Sequence, residues 1–332
     1  MEWLKLPYER KKIIINQVAF KLGIPNYAIE KDWWVTLALR AIFTLPIGKH
    51  LVFKGGTSLS KGWQLIERFS EDIDLVLDRS FLGFEGELSN NQIDKLRKKS
   101  CAYISSHLKD ALQQQLEMMG LAPKDFTLQA QEITQTDTDP QTLVLHYNPL
   151  FKEDNVYIKP NVSIEIGVRS QTEPAENRLL QSFIGQNFSQ LSFADKPFDV
   201  LCINPQRTFL EKIFLLHEEF LKPIDKIKSY RMSRHIYDIH SIMDTAFGLK
   251  AIKNIDLFQT IVAHRQRYTP IRGIDYAFHT PKTLQIIPPL PVLSTWKQDY
   301  KEMTNDMIHG EVPSFDILLN RMEELIKRFS EV

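Results

Sequence analysis

The strongest constraint on the fold is a pair of acids that follows a double glycine. The stretch FKGGTSLSKGWQLIERFSEDIDL, residues 53–75, sets Gly55 and Gly56 after an apolar strand and Asp72 and Asp74 on the next strand. Side chains at positions i and i+2 of a strand share a face, with Cα atoms about 6.6 Å apart. The two aspartates are therefore predicted to converge on one or two divalent cations, and Mg²⁺ favours carboxylate and phosphate oxygens. Two glycines let the backbone approach a phosphate, and the next helix N-terminus favours an anion.

A third acid is expected on another strand. NVSIEIGVR, residues 161–169, alternates apolar and polar side chains, and Glu165 lies on its polar face. Arg169 shares that face, either as a phosphate ligand or as a partner for the acids. The competing interpretation is a glycine turn followed by a strand with a solvated polar face. Either signal alone is weak, but strand, double glycine, helix and acid pair together favour a phosphate and metal site.

Bulk composition leaves the class of partner open. The 332 residues contain 41 Lys plus Arg and 41 Asp plus Glu, so net charge argues neither for nor against nucleic acid. DKLRKK, residues 94–99, is expected to be a solvated helix face rather than an RNA-binding patch. Two cysteines, Cys101 and Cys202, exclude a disulfide scaffold and a thiolate zinc site. The N-terminus lacks an apolar leader and no run reaches membrane-spanning length, so a cytoplasmic protein without membrane contact is expected.

The pattern of elements predicts an α/β part followed by a helical part. Residues 2–47 read as helices, HLVFKGG as a strand, and Thr57 or Ser58 as the cap of a helix that carries Leu59, Trp63 and Ile66 inward. EDIDLVLD, FTLQAQEI and TLVLHY read as strands, the last two paired around TDTDP, and residues 90–120 as a charged helix. Asn204 and Pro205 predict a long helix, and further helices follow, the last from Ser314. The predicted domains are 1–200, an α/β domain with N-terminal helices, and 201–332.

Candidates in the helical part are ambiguous from local pattern. In the helix from Arg207, Thr208 and Lys212 lie away from the apolar stripe, where a solvated lysine is the default interpretation. Arg234 and Asp238, four residues apart, are either an intrahelical ion pair or functional. Lysines and an arginine around the first motif are expected on a solvated face: Lys54, Lys61 and Arg68. Histidine spacing and the serines give no zinc or serine hydrolase pattern.

GGTSLSK…ERFSEDIDL resembles the first motif of the AbiEii/AbiGii abortive-infection toxin family, within the DNA polymerase β-like nucleotidyltransferase superfamily. The likeness continues in EKDWWVT (30–36), KPNVSIEIGVR (159–169), RTFLEK (207–212), SRHIYDI (233–239) and PSFDILL (313–319). One departure is His235, where the family commonly has an acid, which puts an acid–base role there in doubt. The resemblance implies an α+β fold, namely a polymerase-β-like nucleotidyltransferase fold with a mixed sheet plus a helical C-terminal half.

The resemblance also implies an activity and a set of site residues. The expected reaction is Mg²⁺-dependent transfer of a nucleoside monophosphate from NTP to an acceptor such as tRNA or another RNA. The protein would be the toxin of a toxin–antitoxin or abortive-infection phage-defence system, with an antitoxin partner. Asp72, Asp74 and Glu165 would bind metal, and Lys212 would join them as a catalytic residue. The expected nucleotide-binding residues are Gly55, Gly56, Thr57, Ser58, Lys61, Ser70, Arg169, Thr208, Arg234 and Asp238. The alternative is a nucleotide- or RNA-binding module that keeps the cleft but performs no transfer.

Overall fold

The computed structural model describes residues 1–132, 139–151 and 159–332, and these form two compact units. The first unit comprises Met1–Trp63 and Phe69–Ile203, and the second comprises Gln64–Arg68 and Asn204–Val332. The predicted division after residue 200 lies inside a strand. Among the described helices, none combines the length and apolar character needed to span a membrane.

Three helices open the first unit, as predicted for residues 2–47: α1 (Glu2–Lys5), α2 (Tyr8–Leu22) and α3 (Asn26–Thr44). Helix α3 is buried on almost every side, including three charged residues near its start, Glu30, Lys31 and Asp32. Because an unpaired buried charge is costly, these side chains must find partners within the unit.

The first unit is built on a seven-stranded mixed sheet. The strands are β1 (Leu51–Lys54), β2 (Ile73–Leu77), β3 (Phe126–Ala130), β4 (Gln141–Tyr147), β5 (Asn161–Gly167), β6 (Ala175–Leu180) and β7 (Phe198–Ile203). Their order in the sheet is β3-β4-β5-β2-β1-β7-β6. Strands β2 and β5 are parallel, as are β1 and β7, while the remaining pairs are antiparallel. The expectation of an α+β fold with a mixed sheet is confirmed.

The predicted hairpin of β3 and β4 is present, although most of the TDTDP turn lies outside the described residues. The charged helix predicted for residues 90–120 is α5 (Asn90–Tyr103) and α6 (Lys109–Met118), joined by a π-helical turn over Ile104–Leu108. A short helix, α7 (Phe183–Asn187), links β6 to β7.

The helix after the double glycine differs from the prediction. Helix α4 (Gly55–Thr57) starts directly at Gly55 and continues as a π-helical turn over Ser58–Gly62. The predicted cap was wrong, since Lys54 occupies the N-cap position and its side chain makes no capping bond. The chain leaves the helix at Trp63, so Ile66 is buried but not on this helix. Departures into π-helix are frequent at functional sites.

The second unit is helical, with the start and end signals that its sequence carries. Asn204 caps the first helix by accepting from the Gln206 backbone N–H at 3.0 Å, and Ser314 caps the last one at Ile317, 3.2 Å away. Both predicted helix starts are confirmed. Trp296 and Phe329 are fully buried in its core. The helices are α8 (Pro205–Phe220), α9 (Ser233–Ile242), α10 (Ala246–Lys253), α11 (Ile255–Tyr268), α12 (Leu293–Asp306) and α13 (Phe315–Ser330).

Candidate active site

Two of the three predicted acids face each other across the centre of the sheet. The Cα of Asp74 on β2 is the register partner of Glu165 on the parallel strand β5. Side chains of directly paired residues project from the same face, and Asp72 lies two residues before Asp74. All three are half-buried. The antiparallel partner of Asp74 on its other side is Lys54, at the end of β1.

Gly55 packs directly against the carboxylate of Asp74. Its φ of +76° is a conformation that residues with a Cβ rarely adopt. A Cβ built on Gly55 would lie 2.0 Å from Oδ2 of Asp74 and 2.8 Å from Cγ. Glycine is therefore required here twice over, by the backbone angle and by the carboxylate that takes the place of a side chain.

The residues after the glycines hold the acid strand by buried hydrogen bonds. The Thr57 hydroxyl lies 2.9 Å from the Ser70 hydroxyl and donates to the backbone oxygen of Asp72 at 2.5 Å. Thr57 is fully buried and Ser58 is 2% exposed, with its hydroxyl beside the Cys202 thiol. Ser70 is half-buried. The Thr57 hydroxyl thus ties the glycine turn to the residue before β2, and the Ser58 hydroxyl is buried on the side of β7. We therefore look to the backbone for any phosphate contact at this turn.

Buried polar contacts from α3 hold the residues that lead into β2 and β5. The ammonium of Lys31 lies 2.5 Å from Glu71, the residue before Asp72, and donates at 2.8 Å to the backbone oxygen of Lys159, just before β5. Asp32 pairs with Lys61 at the end of the glycine-led helix. Burial raises the pKa of Asp32, and the charge of Lys61 opposes that rise. The EKDWW segment thus positions the site, and the Lys61 side chain, expected on a solvated face, is only 5% exposed.

Arg169 has an acidic partner that the sequence pattern does not reveal. Its guanidinium bonds the Asp139 carboxylate, 2.5 Å from Nε, and the other Asp139 oxygen accepts from the Val168 backbone at 3.0 Å. Lys54 donates to the Ser170 hydroxyl at 2.9 Å. The Asp139 pair ties the end of β5 to the start of β4, and Lys54, the register partner of Asp74, is held at Ser170.

The donor chemistry of the acid face suits Mg²⁺. Within residues 1–132, 139–151 and 159–332, the structure contains no group of three His, Cys, Asp or Glu side chains placed to hold a metal ion. Mg²⁺, however, usually takes only one or two protein carboxylates and completes its octahedron with substrate phosphates and water. Asp74 and Glu165 in register supply such a partial oxygen set, and Asp72 lies one residue before β2 rather than on the strand as predicted.

A separate cavity of about 220 Å³ lies in the first unit. It is lined by aromatic side chains, including Trp3, Trp33 and Trp34, and by the carboxylate of Glu30. Burial raises the pKa of Glu30 to about 7, and a backbone N–H, that of Leu150 at 2.8 Å, limits the rise. The predicted acids are absent from its described lining.

A second charged cluster occupies the helical unit. The Lys212 ammonium on α8 lies 2.9 Å from Oδ2 of Asp238 on α9 and 3.5 Å from Nδ1 of His235. Lys212 is 7% exposed, so it is not the solvated lysine that the helix pattern alone favours. Burial lowers the pKa of Lys212, the Asp238 charge opposes that shift, and Arg68 adds to it. Burial and the neighbouring cations hold the pKa of His235 well below its usual value, so its imidazole is neutral.

The remaining candidates of the second unit lie on the same two helices. Thr208, one turn before Lys212, is 5% exposed, and Arg234 is half-buried on α9 next to His235. The sequence suggested an intrahelical pair of Asp238 with Arg234. In the structure, Asp238 bonds Arg68 and Lys212, which lie outside its own helix. Sequence reasoning missed the residues whose partners are remote in the chain, namely Lys31, Asp32, Glu71, Asp139 and the buried role of Arg68.

Comparisons with known proteins place the chain in a family. The family model described as "Nucleotidyl transferase AbiEii toxin, Type IV TA system" matches residues 37–321, most of the chain. Among solved structures, the chain is similar to the MenT4 nucleotidyltransferase toxin from Mycobacterium tuberculosis H37Rv, with 16% sequence identity and a TM-score of 0.42. The alignment covers 96% of this chain and 98% of that chain, and at this TM-score the likeness supports no conclusion about the site. No curated protein matches the chain.

Proposed function

The chain belongs to the AbiEii family of nucleotidyl transferase toxins, and from this premise we propose that it transfers a nucleoside monophosphate from NTP to RNA with Mg²⁺. The protein is a nucleotidyltransferase, and its family is that of type IV toxin–antitoxin systems, which implies an antitoxin partner. We propose tRNA or another cellular RNA as the acceptor and the cytoplasm, where NTP and RNA are present, as the compartment. Inhibition of growth during phage infection would be the biological outcome.

One observation carries the proposal. Asp74 and Glu165 are paired in register, and Gly55 is pressed against the Asp74 carboxylate so closely that a Cβ would lie 2.0 Å from Oδ2. A glycine at positive φ with a carboxylate packed against it brings backbone and acid together without an intervening side chain, which suits a site for a phosphate and a metal ion. A substrate phosphate beside the glycine backbone, with Mg²⁺ at the carboxylates, is the occupant that we propose.

The proposed chemistry is an in-line displacement at the α-phosphorus. The acceptor hydroxyl oxygen forms the new P–O bond, the bond to the β-phosphate oxygen breaks, and pyrophosphate leaves with that electron pair. Mg²⁺, when bound by Asp72, Asp74 and Glu165, would neutralise charge on the phosphates and the attacking oxygen. We assign to Glu165 the acceptance of the proton from the attacking hydroxyl, since it faces Asp74 across the strand pair.

Phosphate binding is assigned to backbone and cationic groups. Gly55 and Gly56 would offer backbone N–H groups, because the hydroxyls of Thr57 and Ser58 are buried within the unit. Lys212 would bind nucleotide phosphate as a point charge, kept in place by Asp238. For Ser70, Arg169 and Lys61 we propose support of the nucleotide site through the contacts described above, and Thr208 and Arg234 remain proposed nucleotide-binding residues.

The proposal is tested by following label from each α-³²P-labelled NTP into total RNA, with Mg²⁺ and with EDTA. We expect transfer only with Mg²⁺, and its loss in Asp74→Asn, which keeps the side-chain shape but removes the charge. The matched control is Asp78→Asn, one residue after β2, because the Asp78 carboxylate accepts from the Ser80 backbone N–H at 3.0 Å and has no proposed catalytic role. Equal transfer by folded Asp74→Asn and Asp78→Asn would overturn the proposal.

The alternative is a nucleotide- or RNA-binding module without transfer. It predicts that the protein binds NTP or RNA and that no label is incorporated under any condition. Three acids beside a polyphosphate favour catalysis, because binding alone gains nothing from negative charge near phosphate. Expression of the wild type and of Asp74→Asn, with and without the neighbouring antitoxin gene, would separate the two. A toxic effect that survives Asp74→Asn would support the binding module.

A further inference from the structure

Arg68 is a buried arginine in the segment Gln64–Arg68, which groups with the helical unit. It stands four residues before Asp72 in the chain, within the ERFSED part of the first motif. A β-bridge to Ile308 and the bond from the His309 N–H to the backbone oxygen of Glu67, 3.0 Å long, hold the segment in that unit. Arg68 itself is 1% exposed, although its position in the sequence predicts a solvated face.

The guanidinium of Arg68 clamps Asp238 with two hydrogen bonds. Nε donates to Oδ1 at 2.6 Å and Nη2 donates to Oδ2 at 2.7 Å, the parallel arrangement that only arginine makes. Oδ2 is also the oxygen that pairs with Lys212 at 2.9 Å. The fork therefore fixes the plane of the carboxylate and, with it, the position of the oxygen that holds the lysine.

Two cations on one buried carboxylate leave an excess of positive charge. Asp238 is fully buried, and its pKa is lowered, because Arg68 and Lys212 outweigh the effect of burial. A buried ion network is poor evidence of stabilisation, since apolar residues of similar volume often serve folding equally well. The network does fix the Lys212 ammonium relative to the Asp238 carboxylate.

The start of α9 is fixed independently, which makes the clamp rigid. Asp299 on α12 accepts from the backbone N–H of Ser233 at 2.9 Å and from its hydroxyl at 2.5 Å. Asp238 lies on the second turn of this helix. With the helix start held by Asp299 and the carboxylate held by Arg68, little freedom remains for Lys212.

We propose that Arg68 is a positioning residue for nucleotide transfer, which sets the place and the charge environment of Lys212 through Asp238. The inference rests on the proposed function in that Lys212 is assigned to nucleotide phosphate. Arg68 acts through another residue and touches no reacting atom. The groups that face the Lys212 ammonium are Asp238, Arg68, Arg234 and the neutral His235.

The test compares Arg68→Lys and Arg68→Gln with a matched control, Arg265→Lys. Arg265 makes a similar fork to a buried carboxylate in the same unit, with Nε 2.8 Å from Glu218, and it has no role in the proposed site. Arg68→Lys keeps the charge but cannot form the fork. We expect both lysine variants to lower the melting temperature, and only Arg68→Lys to lower kcat/KM, by about 100-fold, the loss that a 1 Å misplacement can cause. Wild-type kcat/KM in folded Arg68→Lys, or an equal loss in Arg265→Lys, would overturn the proposal.

A measurement that needs no activity keeps the inference separate from the proposed function. The pKa of Lys212 can be followed by NMR of ¹³Cε-labelled lysine, with Lys212→Arg to assign its signal. Loss of the Arg68 charge in Arg68→Gln should raise the pKa of Lys212, because a neighbouring cation no longer opposes its protonation. An unchanged pKa would overturn the inference. A raised pKa in a protein that transfers no nucleotide would support the clamp and refute the proposed function.

Discussion

The Gly55→Ala variant tests the closest contact of the proposed site. The new Cβ would lie 2.0 Å from Oδ2 of Asp74, whereas ordinary contacts begin at 3.4 Å. The backbone at Gly55 follows directly on the β1–β2 pair and is held by it. The clash must therefore be relieved by the Asp74 carboxylate, which has to shift by roughly 1 Å or turn away. Asp74 would then leave the face that it shares with Glu165.

Two effects contribute, and the structure offers a variant that isolates one of them. Alanine at positive φ costs roughly 1–2 kcal/mol at either position. Gly83 has φ +78°, nearly that of Gly55, and a Cβ there meets no atom within 4 Å. Gly83→Ala therefore carries the backbone strain alone, while Gly55→Ala carries the strain and the displaced carboxylate. A displacement of this size lowers a catalytic rate by about 100-fold.

The assay measures label transfer to RNA under single-turnover conditions and the free energy of unfolding by urea for both variants. We expect the two to be destabilised to a similar extent, with any excess in Gly55→Ala due to the clash, and only Gly55→Ala to lose transfer. If folded Gly55→Ala transfers nucleotide as fast as Gly83→Ala, the reasoning that places Asp74 in the reaction is refuted.

Three further predictions concern pH, a buried pair and metal dependence. Because the folded pKa of Glu30 is about 7 and its ordinary value 4.5, its contribution to stability is greatest below pH 4.5 and is lost as pH rises to about 7. The free energy of unfolding of Glu30→Gln, measured in urea relative to that of the wild type, should therefore rise by on the order of 3 kcal/mol between pH 4.5 and 8. A difference between the two proteins that does not change with pH would contradict this. Lys31→Met should lower the free energy of unfolding by about 3–5 kcal/mol, because it leaves the buried Glu71 carboxylate without its cation. Adding Glu71→Leu should restore much of this loss, and urea unfolding of both variants measures it. Calorimetry should show much weaker NTP binding in EDTA than in Mg²⁺; equal affinities would count against metal-bridged phosphates.

Local pattern was sufficient where structure depends on neighbours in the chain. The period-2 alternation of residues 73–77 and 161–167 predicted both acid-bearing strands, and the Asn204 and Ser314 caps predicted helix starts. The edge strand β6 was missed because its sequence, AENRLL, is mostly polar and lacks alternation. The helix cap at Thr57 was wrong because that hydroxyl bonds the Asp72 backbone, fifteen residues away.

Partners that are remote in sequence escaped prediction. Lys61 pairs with Asp32, 29 residues away, and Arg68 pairs with Asp238, 170 residues away. A lysine or arginine next to a motif is solvated in most proteins, and nothing local distinguishes one that is buried with a distant carboxylate. The register that sets Asp74 opposite Glu165 is likewise a property of strand pairing between distant segments.

The central claim is that the acid face of β2 and β5 binds metal and nucleotide together. The most direct test is a crystal structure with Mn²⁺ and a non-hydrolysable NTP, with the metal located by its anomalous scattering. The account predicts a metal peak bound by Asp72, Asp74 and Glu165 and by oxygens of the triphosphate, with a phosphate against Gly55 and Gly56. A nucleotide bound elsewhere, or a metal that contacts none of the three carboxylates, would contradict it.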